Sequence, residues 1–259
     1  MAQNDLRYAR PGSVPQAGVE IDEGLRSYML RVYNYMAGGL ALSGLVAYTI
    51  FNLATTSDPT QAVARFGSKY LTQFGAALFG SPLMWVLILA PLAFVLILSF
   101  RVYKMSPAAT QLAFWAFATV MGASLSTILL RYTGASIANV FAITAASFAA
   151  LSLFGYTTKR DLSGWGSFLI MGVIGLILAS LLNLFIFQSG ALQFAVSALG
   201  VLIFAGLTAY DTQQIKDNYY AVANDGALAT KTAVMGALNL YLDFINMFQS
   251  LLYLMGDRE

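Results

Sequence analysis

The sequence predicts an all-α integral membrane protein with seven transmembrane helices, the last of them lined by other helices. Three observations carry that reading. Of 259 residues, 58% are hydrophobic and only 10% charged, with a mean hydropathy of +0.69, more apolar surface than a soluble domain of this length can bury. Apolar stretches of about 20 residues, the length that crosses about 30 Å of hydrocarbon, recur along the chain. The last stretch, Ala227 to Gly256, holds a carboxylate, Asp243, close to its middle, where water cannot reach it unless protein or a cavity supplies the way.

In order, residues 1–27 mix Asp5, Arg7, Arg10, Glu20, Asp22, Glu23 and Arg26 with Pro11, Gly12 and Pro15, and read as a short disordered tail with no signal peptide. The membrane domain, residues 28–256, then divides into spans at Tyr28–Leu53, Leu83–Val102, Thr110–Leu130, Ser136–Tyr156, Trp165–Phe187, Ala191–Asp211 and Leu228–Met255. Gln188, Ser189 and Gly190 leave room only for a tight hairpin between the fifth and sixth. In the 54–82 connection Val63, Phe66, Tyr70, Phe74 and Leu78 recur at three or four residues, which suggests an amphipathic helix on the membrane surface, with a flexible loop as the alternative. The Gly172/Gly175 pair and Gly38, Gly39 and Ser43 read as small residues that let helices approach, and Trp85, Trp115 and Trp165 as interfacial anchors.

Charge sets the expected orientation. With a cytoplasmic N-terminus, Arg7, Arg10, Arg26, Arg31, Arg101, Lys104, Lys159, Arg160, Lys216 and Lys231 lie inside, and only Arg65, Lys69, Arg131 and Arg258 outside. The C-terminus is then extracytoplasmic. Neither this distribution nor the net charge of +2 offers a nucleic-acid surface. The chain has no Cys and no His, which removes disulfides, thiolate metal sites and the usual proton switch, so proton chemistry falls to carboxylates.

At helical spacing Gly236, Asn239, Asp243, Asn246 and Ser250 share one stripe of the last span, while Tyr241, Phe244, Phe248 and Leu251 lie elsewhere. Lipid could satisfy none of those amides and carboxyls, so the stripe should face other helices. Asp211 ends the sixth span in LTAYDTQQIK, and a short connection makes the sixth and seventh helices antiparallel neighbours. Two carboxylates meeting there would share a proton and titrate as a pair. Counted from Lys216 and Lys231, however, Asp211 lies roughly 7 Å and Asp243 roughly 18 Å along its helix, a mismatch in depth. Arg101 closes the second span and either pairs with a carboxylate or snorkels to headgroups, and Pro91 earlier in that span removes a backbone donor and forms a candidate hinge.

The blocks LTAYDTQQIK and ALNLYLDFINMFQSLL, with FGSPLMWVLILAPLAF, closely resemble the bacterial branch of the Bax inhibitor-1 (transmembrane Bax inhibitor motif) family across the whole membrane region. The resemblance implies a central C-terminal helix wrapped by six others and a di-aspartyl pH sensor, at Asp211 and Asp243, gating a calcium leak in the plasma (inner) membrane. It also implies a latch arginine that corresponds most nearly to Arg101, although FRVYK lacks the arginine cluster of some members. Calcium takes about six to eight oxygens, and Asp211, Asp243, Asn239 and Asn246 with water offer several to an ion in transit without forming a cage.

A pH-sensitive, calcium-permeable leak channel with no resident cofactor is therefore the leading expectation. The alternative is an interaction protein that modulates a membrane protease or a stress or cell-death pathway through its N-terminal tail. Catalysis is not expected. An intramembrane aspartyl protease sets its second Asp in a Gly-x-Gly-Asp turn, whereas Asp243 lies in LYLDF, and a retinal protein needs a buried Lys that Lys231, at the start of its helix, does not supply.

Overall fold

The computed structural model describes residues 17–258 and is helical apart from one small sheet. Helix α1 spans Ala17–Ala54, α2 Gln73–Phe79, α3 Leu83–Arg101, α4 Pro107–Leu129, α5 Gly134–Thr157, α6 Gly166–Leu182, α7 Gly190–Val222 and α8 Gly226–Met255. Six segments are long and apolar enough to cross a membrane: Glu23–Ala54, α3, α4, α5, Ser163–Phe187 and α7. At 30 residues α8 has the length, but Asn239, Asp243, Asn246, Gln249 and Ser250 lower its hydropathy and keep it out of that set. The protein is an integral membrane protein by these helices.

Several boundaries depart from the sequence reading. Residues 17–27, expected in a disordered tail, extend α1, while residues 1–16 lie outside the described residues. Leu25, Tyr28 and Met29 are buried at the end of that extension and just beyond it. More consequential is α7, which runs to Val222 instead of stopping at Asp211. The polar run after Asp211 looked like a water boundary, yet Thr212 and Gln213 are buried and spend their polar atoms on protein partners.

The 54–82 connection is neither a surface helix nor a loop. Strands β1 (Thr55–Thr56), β2 (Ala64–Phe66) and β3 (Lys69–Leu71) form an antiparallel sheet in the order β1-β3-β2. The two-residue turn between β2 and β3 begins with Gly67 at φ 58°, the left-handed region that such a turn requires at its first position. Helical spacing survives only in α2, where the Thr72 hydroxyl accepts from Gly75 N (3.1 Å) and stops the strand. Leu71, Phe79, Ala54 and Leu130 bury together beneath the sheet. Asp58 caps the turn between β1 and β2, accepting from Thr60 N (2.9 Å), Thr60 Oγ1 (2.7 Å) and Gln61 Nε2 (3.1 Å).

In the bundle α1 lies along α4, α7 along α8, α5 against both α7 and α8, and α3 chiefly against α4. Close approach is enforced by small residues: a Cβ on Gly122 would stand 2.6 Å from the Ser43 carbonyl oxygen, and one on Gly155 would fall on the Ala209 carbonyl. Tyr241 of α8 is fully buried, with its ring 5.6 Å from Phe117 and 6.3 Å from Phe114. Its hydroxyl lies 2.6 Å from Ser43 Oγ, which in turn is 2.7 Å from the Ala118 carbonyl. A carbonyl only accepts, so Ser43 donates to it and Tyr241 donates to Ser43, tying α8, α1 and α4 through one chain. Trp115, expected at the interface, packs on Phe114 (5.3 Å) and Tyr35 (6.0 Å) instead, whereas Trp85 and Trp165 are exposed.

At the far end of α8 the chain is stitched to the α4–α5 turn. Asp257 N donates to Ser136 Oγ (2.9 Å), Thr133 N to the Asp257 carbonyl (3.1 Å), and the Arg258 guanidinium covers the Tyr253 ring at 4.5 Å.

Gly155→Ala should lower stability by about 1–3 kcal/mol, because backbone and not a flexible side chain occupies the Cβ position; thermal unfolding in detergent measures it. The small sheet should respond to acid. Hydrogen bonds from the Thr60 hydroxyl, then from Thr60 N, hold the Asp58 carboxyl below its ordinary range, so its contribution is complete above that range and is lost as pH falls through the lowered value. Amide exchange across residues 55–71 should therefore accelerate only in strong acid, and in Asp58→Ala should already be fast at neutral pH.

Candidate functional site

The site is built by the register of α7 on α8. Ile215 fits against Gly236, where a Cβ would meet its Cγ1 at 2.9 Å, and Ser250 stands over Gly200. These two contacts fix an antiparallel pairing in which the α-carbons of Asp211 and Asp243 are offset by about 4.5–6 Å along the axis. Side chains on a helix tilt toward its N-terminus, and in an antiparallel pair those tilts oppose. Asp211 leans toward the level of Asp243 and Asp243 toward the level of Asp211, which closes the offset.

The two carboxyl groups stand close enough to interact directly, side chain to side chain. The mismatch in depth expected from Lys216 and Lys231 is thus absent. It arose from treating the two lysines as equal depth markers, whereas α7 continues past Lys216 to Val222 and Lys216 donates to the Tyr156 carbonyl at the end of α5 (3.0 Å). Ionised carboxylates only accept, so a hydrogen bond between the two needs one shared proton. Asp243 is 4% exposed, and its Oδ2 has no partner among the described residues.

Polar bonds hold α7 in place beside the pair. Thr212 Oγ1 donates to the Thr208 carbonyl (2.7 Å) and so accepts from Ser152 Oγ (3.0 Å), which accepts from Tyr33 OH (2.7 Å). One directed chain links α1, α5 and α7 next to Asp211. Gln213 completes the clamp, accepting from Leu162 N (2.8 Å) and donating to the Arg160 carbonyl (2.9 Å).

On the side of the α7–α8 turn a cavity of about 260 Å³ opens onto Asp211; Gln214, Asn218, Lys231, Thr232 and Asn239 supply its other polar groups, and Val102, just after α3, forms part of its wall. The stripe on α8 is split. Gly236 and Asp243 are buried, Asn246 and Ser250 are half-buried, and Asn239 is exposed. Asn246 Nδ2 donates back to the Leu242 carbonyl (2.8 Å). The face expected to be lined by other helices is thus lined on one edge only, because Tyr241, Phe244 and Phe248 take the buried side, against α4 and α5.

Arg101 and Asp211 are not paired. Arg101 is exposed and forms no hydrogen bond or ion pair among the described residues: the side chain that Asp211 meets is Asp243, and at the end of α3 it is Leu98 and Val102, not Arg101, that are buried. The cation that shares the cavity with Asp211 is Lys231, on α8. Pro91 is buried within an α3 that stays helical on both sides of it. Among the described residues no third acidic side chain joins the pair.

Gln249, exposed on α8, was missed by the sequence reading. Its signal was present: Asn239, Leu242, Asn246 and Gln249 alternate at three and four residues, the spacing of a single helix face. The stripe had been centred on Asp243, one position round from that face.

The sequence profile of the family described as "Inhibitor of apoptosis-promoting Bax1" matches residues 25–259. The chain is 46% identical over 253 residues to an uncharacterised protein of Caulobacter vibrioides, a match that covers 97% of each chain. It is similar also to an uncharacterised protein of Rickettsia prowazekii, at 44% over 254 residues (98% of this chain, 99% of the other). With the inner membrane protein YbhL of Escherichia coli it shares 41% over 255 residues, again 98% and 99% of the two chains.

The register is open to direct measurement. The Cβ position on Gly200 lies 3.5 Å from the Ser250 Cβ, at the short end of the disulfide range of about 3.5–4.5 Å, and the chain has no cysteine to compete. Gly200→Cys with Ser250→Cys should form a disulfide on mild oxidation, read by gel shift after cleavage between α7 and α8. Failure to form it would contradict the pairing that joins Asp211 to Asp243.

Proposed function

The chain belongs to the Bax inhibitor-1 family, and from that premise we propose that it is a calcium-permeable leak pathway of the bacterial inner membrane, opened by protonation of Asp211 and Asp243. The observation that carries this reading is the proton-sharing contact of the two carboxyls beside a polar cavity. In this proposal α8 is the seventh span and the axis of the bundle, the N-terminus and the α7–α8 turn are cytoplasmic, and the C-terminus is extracytoplasmic. The packing of α8 against α1, α4, α5 and α7 supports that place for it, as does the positive charge expected on the cytoplasmic side.

The ion would enter at the cavity and follow Asp211, Asp243, Asn239 and Asn246, with Gln249 toward the far side. Each offers oxygen, and together with water they hold calcium loosely enough for release. No bond is made or broken, so the protein acts as a pathway and not as an enzyme.

Gating follows from charge. At low pH the pair holds its proton and has no net demand for a cation beyond one charge, so the end of α3 stays free and the mouth stays open. At higher pH the proton leaves, and the second negative charge in a low-dielectric site draws Arg101 across the mouth as α3 hinges at Pro91. A partly buried arginine–carboxylate bond is worth about 1.5–3 kcal/mol, enough to change an open-to-closed ratio roughly ten- to a hundredfold.

Purified protein in vesicles loaded with a calcium dye tests this without any partner. Calcium entry should rise as the cytoplasmic face is acidified through the transition, and Asp243→Asn should flatten that dependence more than Asp211→Asn, because it is the deeper of the two. Arg101→Gln should raise entry at neutral pH to the level the wild type reaches in acid. Superimposable pH curves for the wild type and both aspartate variants would remove the sensor, and an Arg101→Gln protein that stays closed at neutral pH would reduce the arginine to a lipid anchor.

A further inference from the structure

A polar helix face that lipid can reach needs an occupant. Along α8, Lys231, Asn239, Asn246 and Gln249 fall on or beside the one side of the helix not packed against α1, α4, α5 or α7. Asn239 and Gln249 are exposed, and Asn246 satisfies one amide proton only by bonding to its own helix. Hydrocarbon cannot hydrogen-bond the remaining amide groups, and the outer surface of α3 is largely apolar, with exposed Leu92, Leu96, Ile97 and Phe100.

We propose that this face is a track for phospholipid headgroups, and that the protein exchanges zwitterionic phospholipid between the two leaflets. The inference rests on α8 spanning the membrane and not on the conduction of calcium. Three features select this occupant. The first is charge: one cavity holds an ammonium, Lys231, for a phosphate and the acidic pair, reached at Asp211, for the amine of an ethanolamine headgroup, with the Gln214 and Asn218 amides in the same lining. The second is length. From Lys231 to Gln249 the helix rises about 27 Å, close to the thickness of the hydrocarbon core, so polar contacts are available from one interface nearly to the other. The third is openness on one side only. A headgroup can move along the α8 amides while its acyl chains remain in lipid beside the apolar surface of α3.

The test uses the full chain in vesicles that contain a trace of NBD-labelled phosphatidylethanolamine, with external dithionite reducing the label on the outer leaflet. A soluble NBD-sugar trapped in parallel vesicles reports leakage of the reductant. Wild-type protein should carry the loss of fluorescence beyond the outer-leaflet share while the trapped sugar stays bright. Asn239→Leu with Asn246→Leu and Gln249→Leu, positions where leucine suits lipid, should slow that loss about tenfold or more. Asn246→Trp, which fills the track without touching the buried face of α8, should slow it as well, and serves if the triple variant does not fold. Calcium entry is recorded on the same vesicles, so a protein that conducts without exchanging lipid sinks this inference and leaves the leak pathway standing. Wild-type vesicles that keep their inner-leaflet label, or a folded Asn246→Trp protein that exchanges lipid at the wild-type rate, overturn it.

Discussion

Hydrocarbon offers no hydrogen-bond partner, and a carboxyl group placed deep in a membrane protein has to find one inside the protein. Asp243 sets this requirement for the whole bundle. Its partner is Asp211, and the two can meet only if α7 and α8 pair in one register, if α7 continues well past Asp211, and if one proton remains between the carboxyls. Each of these conditions has its own supports. Gly236 and Gly200 allow the close approach that fixes the register, and the Tyr33–Ser152–Thr212 chain and the Gln213 amide hold the α7 segment in which Asp211 sits.

Around that pair the bundle is asymmetric. The far end of α8 is fastened to the α4–α5 turn through Asp257 on Ser136 and Arg258 on Tyr132, and its middle through Tyr241 to Ser43. The end near the α7–α8 turn instead borders a cavity whose wall includes Val102, and α3 is tied chiefly to α4. Motion that changes access to the carboxyls is therefore cheapest at α3, since moving α8 would break buried polar bonds at two levels and moving α3 breaks apolar contacts that lipid can replace.

The polar and apolar sides of α8 divide its work. Tyr241, Phe244 and Phe248 supply the packing that holds the helix, through edge-on contacts with Phe114, Phe117, Phe141 and Phe148. Because that side is buried, the amides at Asn239, Asn246 and Gln249 are left toward the open side, and the ion path and the headgroup track are both readings of this single consequence.

The sequence by itself determined the membrane class, most of the helix positions, the family and the two aspartates, because each rests on local signals: runs of apolar residues, spacing on one helix, and motif blocks such as LTAYDTQQIK. It misplaced the end of α7, since Thr212 and Gln213 look like a water boundary until Ser152, Arg160 and Leu162, distant in the chain, appear as their partners. It misread residues 54–82, where the spacing of Val63, Phe66 and Tyr70 fits a helix but the Gly67 turn and the pairing of β3 with both neighbours make a sheet. Only the tertiary structure decided that Asp211 meets Asp243, that Arg101 stands apart while Lys231 shares the cavity, and which edge of α8 stays uncovered. Each of those depends on the register and azimuth of one helix on another, and these are set by contacts such as Ile215 on Gly236 that no single segment of sequence contains.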